Sequence, residues 1–235
     1  MKPKSYRLDR FISQHSSFTL SEVRLLIAQK RIKLDGRFAI SVQEKVSEFT
    51  EVQLDEHYLR NNLPHYLMLH KPQGVVSATK DDKHKTVLDL IDHPAKSQLH
   101  LAGRLDLNST GMVLLTNDGA WSRALSLPDT KVKKVYEVVL SNPIEPSYVA
   151  VFERGIYFSF EDITTKPAKL EVISSKKARL TLTEGKYHQV KRMFGYFQNE
   201  VLALHRIAIG NLSLGDLEPG SYRPLTSAEL QFLRE

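Results

Sequence analysis

The sequence predicts an α+β protein: a small helix–helix–hairpin domain, then a larger body with a mixed, largely antiparallel sheet flanked by helices. Three observations carry that prediction. The first 60 residues hold two short stretches of helical spacing followed by a hairpin signal. A polar stretch without periodicity, "EHYLRNNLPHY" (56–66), then interrupts the chain and contains a proline. From Tyr66 onward, short apolar runs alternate with turn residues.

Taken in order, Leu8, Phe11 and Ile12 fall on one helical face, and Val23, Leu26, Ile27 and Lys30 repeat that spacing. Thr19-Leu20-Ser21-Glu22 offers hydroxyl caps for the second helix. "RIKLDG" alternates and ends in Asp35-Gly36, a hairpin turn signal. We therefore place a small basic domain at 1–60, a linker at 61–65 and the body at 66–235. In the body, "YLMLH" reads as a strand ended by the turn Lys71-Pro72-Gln73-Gly74. "VVSA", "MVLLT", "KVYEVVL", "GIYFSF", "AKLEVI", "ARLTLT" and "EVLALHRIAIGNLSL" read as further strands. Turns or short helices separate them, which favours antiparallel or mixed pairing. Helices are predicted at 120–127, 146–154, 187–197 and 226–233. In the third, Val190, Met193, Phe194 and Phe197 form an apolar stripe, leaving Lys191 and Arg192 on other faces. Asp118-Gly119 reads as a structural turn.

Composition narrows the class. At 41% apolar and 26% charged, 235 residues are ordinary globular material. No apolar run approaches the roughly 20 residues of a membrane span. The start, "MKPKSYRLDR", lacks an apolar signal core, so a cytoplasmic protein is expected. Without cysteine there is no disulfide and no thiolate metal site. The net charge of +6 is unevenly spread. Residues 1–40 hold nine Lys/Arg against three Asp/Glu, 41–60 two against five, and the rest 22 against 19. A basic head on a nearly balanced body suggests a polyanion-binding module. Arg24, Lys30, Arg31, Lys33 and Arg37 lie together on its second helix and hairpin, and we read them as phosphate contacts. A monomer is expected, because no exposed apolar stripe demands a partner.

Familiar chemistry is missing. There is no G-x-G-x-x-G after a strand, no Walker A sequence and no His-Glu-x-x-His, and the nine histidines are scattered. No nucleophile elbow is present. A reaction without cofactor or metal is expected. What remains is a lone acid, Asp106, in "HLAGRLDLNSTGMVLLTNDG" (100–119), where an apolar strand breaks into a polar loop. By residue type alone Asp106 reads first as a turn former, Tyr136 as a core tyrosine and Lys191 as a surface lysine. Spacing alone does not join positions 106, 136 and 191.

A resemblance joins them. "GRLDLNSTGMVLLTNDG" resembles the signature of the RsuA-type pseudouridine synthases: Gly-Arg-Leu-Asp, Thr-x-Gly, an apolar run, then Thr-Asn-Asp-Gly. "LHKPQGVVSA", "EGKYHQVKRMF" and "LHRIAIGNLSLGDLEPGSYRPLT" are similar to further motifs of that family, in its order. The first 60 residues resemble the small RNA-binding domain shared with the fourth small-subunit ribosomal protein. Asn108-Ser109 and Met112-Val113 depart from the usual pattern at positions that carry no chemistry.

The resemblance implies isomerisation of uridine to pseudouridine. The glycosidic carbon–nitrogen bond breaks, the uracil turns, and it rejoins through carbon. It implies Asp106 as the nucleophile, Lys191 as its cationic partner, and Tyr136 stacked on the base. Leu202 and Arg192 are implied in the substrate pocket, and Arg104 as an RNA contact at a flipped-out nucleotide. "EGKYHQVKRMF" and "PGSYRPLT" favour the small-subunit members, and with them 16S ribosomal RNA as the partner, free or in a partly assembled subunit. The alternatives are a large-subunit ribosomal RNA site and a non-catalytic assembly factor on the same fold.

Overall fold

The computed structural model describes residues 5–127 and 130–232. Lys2 and Lys4 of the basic head, and position 233 of the last predicted helix, lie outside the described residues. The chain divides into two compact units, Met1–Pro64 and His65–Glu235.

The first unit runs β1 (Tyr6–Arg7), α1 (Leu8–His15), α2 (Glu22–Ala28), β2 (Ile32–Leu34), β3 (Arg37–Phe38), β4 (Lys45–Val46), β5 (Val52–Leu54) and β6 (His57–Arg60). Leu8, Phe11 and Ile12 of α1 pack with Val23 and Leu26 of α2, as their spacing requires. They meet Ile32, Leu34, Val52 and Leu54, the inward residues of β2 and β5. The Glu22 carboxylate accepts from both the backbone N–H and the hydroxyl of Thr19, closing the first turn of α2. Asp35 (φ 48°) and Gly36 (φ 77°) form the left-handed pair of a tight hairpin between β2 and β3. The sheet order is β3-β2-β5-β6, and β1 pairs with β4. His57–Arg60, inside the polar stretch, forms a strand on β5. Its outer residues face solvent on a sheet edge, which hides the strand pattern in the sequence.

The second unit contains β7 (Tyr66–Lys71), β8 (His100–Leu101), β9 (Thr110–Thr116), α3 (Gly119–Ser126), β10 (Lys134–Leu140) and α4 (Ser147–Arg154). It continues with β11 (Tyr157–Phe158), β12 (Ile163–Thr164), β13 (Lys169–Ser174), β14 (Lys177–Leu182) and α5 (Gln189–Gly195). β15 (Val201–Ile209), β16 (Leu212–Ser213), β17 (Tyr222–Pro224) and α6 (Ser227–Phe232) complete it. The main sheet runs β13-β14-β10-β15-β9-β7-β17, with β16 on β15 and β8 on β9. Its joints are antiparallel except for β15–β9, which is parallel. Both faces are covered. Leu67 and Leu69 of β7 share a core with Phe152 of α4 and Val190, Met193 and Phe194 of α5. Met68, between those leucines, joins Met112, Leu114, Trp121 and Leu125 on the opposite face. Burial on both faces makes β9 apolar along most of its length.

Several expectations shift. "VVSA" makes only an isolated bridge, Val76 to Thr86. "GIYFSF" contributes two residues to a separate ladder with β12. α5 begins at Gln189 rather than 187, because His188 has a left-handed backbone (φ 48°, ψ 31°). Asp118 caps α3, its Oδ1 accepting from the N–H groups of Ala120 and Trp121. At the parallel joint Gly111 has φ 108°, and a Cβ there would lie 2.3 Å from the Arg206 carbonyl oxygen. Only glycine permits that approach.

Candidate active site

Asp106 sits in the loop between β8 and β9, and that loop is held from several directions. The Lys71 ammonium, at the end of β7 and fully buried, donates to the carbonyls of Leu107 (3.1 Å), Ser109 (2.7 Å) and Pro72 (3.0 Å). The Ser77 hydroxyl donates to the Leu105 carbonyl at 2.7 Å and accepts from the Leu105 N–H at 3.0 Å. From β15, Arg206 donates through Nε to the Met112 carbonyl (2.8 Å) and through Nη1 to the Arg104 carbonyl (3.3 Å). With its backbone satisfied in this way, the loop can present one carboxylate without collapsing.

A cavity of about 150 Å³ opens beside that carboxylate. Asp106, Tyr136 and Lys191, far apart in sequence, all line it, and so does Arg104. Tyr136 is opposite Arg206 across the β10–β15 ladder, and the guanidinium carbon lies 6.0 Å from the ring centroid. Arg206 and Lys134 are buried in the cavity wall. The Arg206 Nη2 group is buried and without a hydrogen-bond partner among the described residues. Burial pushes the Lys134 pKa down, with a smaller contribution from the Arg206 charge. Burial also pushes Lys71 down to about 8, against an opposing pull from the negative charge of Asp106. Buried Lys134 and Arg206 therefore line the same cavity as a single, partly exposed carboxylate, and buried Lys71 feels that carboxylate's charge from behind the loop.

Three expectations need correction. Lys191 lines the cavity but forms no ion pair with Asp106; His188 Nε2 lies 3.4 Å from Asp106 Oδ1 instead. The left-handed backbone before α5 brings that imidazole to the carboxylate. Arg192 is not among the lining residues. Its guanidinium forks onto Glu161 at 2.6 and 2.5 Å and covers the Phe158 ring at 3.8 Å from the centroid, tying α5 to the 158–161 segment. Leu202 is 62% exposed and outside the cavity. Val201 pairs with Leu140 and Ala203 with Val139, so Leu202 is the extra residue of a bulge. Leu204 supplies the apolar wall.

In the first unit the expected phosphate contacts divide. Arg24 and Lys30 are exposed, and Lys33 lies over the Phe38 ring at 5.4 Å. Arg31 is forked onto Asp55 at 2.8 and 2.7 Å, and Arg37 bonds Glu44. Those two cations are already engaged by the chain's own carboxylates.

Sequence reasoning missed Lys71, Lys134, His188, Leu204 and Arg206 as site residues. The signal for three of them is simple: a lone cation inside an apolar strand is expensive unless something compensates it. Among the described residues, no group of three or more His, Cys, Asp or Glu side chains is arranged to hold a metal ion. No described helix is long and apolar enough to cross a membrane.

Comparison with known proteins identifies the family. The profile of the RNA pseudouridylate synthase family matches residues 65–196. A ribosomal small subunit pseudouridine synthase A from Pseudomonas aeruginosa is 48% identical over 226 residues, covering 95% of this chain and 98% of the relative. The protein of that name from Escherichia coli strain K12 is 42% identical over 95% of this chain and 98% of its own length. A crystal structure of a pseudouridylate synthase superposes with a TM-score of 0.70 at 40% identity, covering 97% of this chain and 99% of that one. With a matching family profile, relatives aligned over almost the whole chain and an aspartate-bearing cavity, the chain belongs to the RNA pseudouridylate synthases, isomerases that convert uridine in RNA to pseudouridine.

Proposed function

We propose that this chain isomerises one uridine of 16S ribosomal RNA in the bacterial cytoplasm, with Asp106 as the nucleophile on a flipped-out nucleotide. The observation that carries the reading is the convergence of Asp106 and Tyr136 on one cavity walled by buried Lys134 and Arg206. The small-subunit target is supported by the names of the relatives.

A stacked or paired uridine cannot enter so small a cavity, so the nucleotide leaves its helix first. Arg104, at the mouth, contacts the phosphate of the everted nucleotide. The Asp106 carboxylate forms a transient bond, either to the ribose anomeric carbon or to the uracil ring. The bond between the ribose and N1 of uracil breaks. The bond to Asp106 breaks in turn as the new carbon–carbon bond closes, which regenerates the carboxylate. The uracil turns while held between Tyr136 and Leu204 and rejoins through C5. The C5 proton is then lost and N1 gains one, so the product is an isomer and nothing is oxidised or hydrolysed. Lys134 and Arg206 stabilise negative charge on the reacting groups. Lys191, expected as the cationic partner of Asp106, acts instead as a cation lining the cavity, with His188 as the direct neighbour of Asp106.

The test is to map pseudouridines in ribosomal RNA from a strain lacking this protein. One small-subunit position is expected to revert to uridine and to be restored by the purified protein. An Asp106→Asn variant should lose about 10³-fold or more in turnover while still binding RNA. A missing modification in the large subunit would overturn the choice of target, and an active Asp106→Asn protein would overturn the nucleophile. An unchanged map would favour a non-catalytic assembly role.

A further inference from the structure

A second cleft adjoins the catalytic cavity, and the isomerisation as described makes no use of it. Its volume is about 270 Å³, and it is lined by Val76, Ser77 and Ala78 on one side and by Tyr187 and His188 on the other. Asp106 and Arg104 line both spaces, so the wall between them is thin. The Asp106–His188 contact at 3.4 Å is part of that wall.

Tyr187 is 72% exposed and belongs to none of the apolar clusters of the described residues. It is nevertheless held in place. Its ring stacks on His188 at 3.9 Å between centroids and 18° between planes. The same left-handed residue that moves His188 onto Asp106 sets this stack. For a side chain with a Cβ, that backbone is disfavoured. Strain of this kind persists where surrounding structure over-determines it, and it concentrates at functional sites.

We propose that the cleft is a second nucleotide subsite, in which a base next to the target uridine stacks on the Tyr187 ring. The inference rests on the isomerase reading above. An exposed aromatic face is the usual platform for an unpaired RNA base, because every base has a π-face to offer. Once the uridine is everted, its neighbour has lost a stacking partner, and Tyr187 replaces it. Arg104, shared by both spaces, lies where the phosphodiester joining the two nucleotides runs. The subsite thus helps position the everted strand, through stacking more than through base-edge recognition.

The test uses the full-length protein and a ribosomal RNA fragment that it isomerises, with an abasic residue placed on the 5′ or the 3′ side of the target uridine. For the wild type, the abasic substitution on one side should raise KM roughly ten-fold, as should Tyr187→Ala on intact RNA. Combining the two should cost little more than either alone, because both remove the same contact. Tyr187→Phe should recover most of the loss, since the ring is retained. Fully additive losses on both sides, or no recovery with phenylalanine, would overturn the subsite while leaving the isomerase reading intact. A wild-type protein that isomerises no ribosomal RNA would overturn that reading, and the subsite with it.

Discussion

Lys71 shows how a single residue can shape a cavity from behind the loop that lines it. Its ammonium is buried beneath the Asp106 loop and satisfied by three carbonyls. Burial lowers its pKa from the ordinary 10.5 to about 8, and Asp106 opposes that shift. The sign follows. Between about pH 8 and 10.5 the unfolded chain holds a proton that the folded chain has released, so this group's contribution to stability rises with pH across that window. An NMR titration of Lys71 should give a midpoint near 8. The midpoint should fall further in Asp106→Asn, which removes the charge that favours the ammonium. A midpoint unmoved by that change would mean that the two groups do not interact. In the sequence this lysine was visible only as part of a motif. Its partners are carbonyl oxygens, which residue types do not reveal.

At the scale of elements, the helices were legible because their apolar periodicity is intrinsic to the chain. Leu8, Phe11 and Ile12 are buried as their spacing predicts. Registers were not legible. The bulge that turns Leu202 outward and leaves Leu204 at the cavity depends on how β15 pairs with β10. Leu202→Ala should change stability by no more than about 0.5 kcal/mol. Leu204→Ala should cost about 2–5 kcal/mol and enlarge the cavity wall. Chemical denaturation of the two variants checks this, and equal costs would contradict the register. Gly111→Ala at the parallel joint should be worse than an ordinary surface change, by about 3 kcal/mol. It combines a disfavoured φ with a collision against the Arg206 backbone. The same denaturation measurement reads that cost. The hydrophobic pattern starts helix α5 two residues early, because a left-handed histidine leaves no mark in it.

At the scale of the molecule, charge distribution points to a polyanion-binding head, but composition cannot show which cations are occupied. Arg31 and Arg37 are paired with carboxylates, whereas Arg24 and Lys30 are exposed. Exposed pairs hold only loosely, at about 0–1 kcal/mol, so phosphate can compete for them at some cost. Replacing Arg24, Lys30 and Lys33 together by alanine should reduce the salt dependence of RNA binding by roughly two in log–log slope. Replacing Arg31 and Arg37 should reduce it less per residue. Filter-binding or fluorescence titrations across a salt series compare the two sets, and an equal reduction per charge would show that the carboxylate pairs do not matter.

The cross-connection from β9 to β15 carries a consequence for how the protein is made. Gly111 and Arg206 meet as ladder partners although almost a hundred positions separate them along the chain. Non-local pairing of this kind forms late, after many shorter-range contacts. A ribosome must therefore release nearly the whole polypeptide before the Asp106 loop gains its support from Arg206. While the chain is still being synthesised, the Asp106 loop can already draw on Lys71 and Ser77 but lacks the guanidinium that ties Arg104 and Met112 to β15.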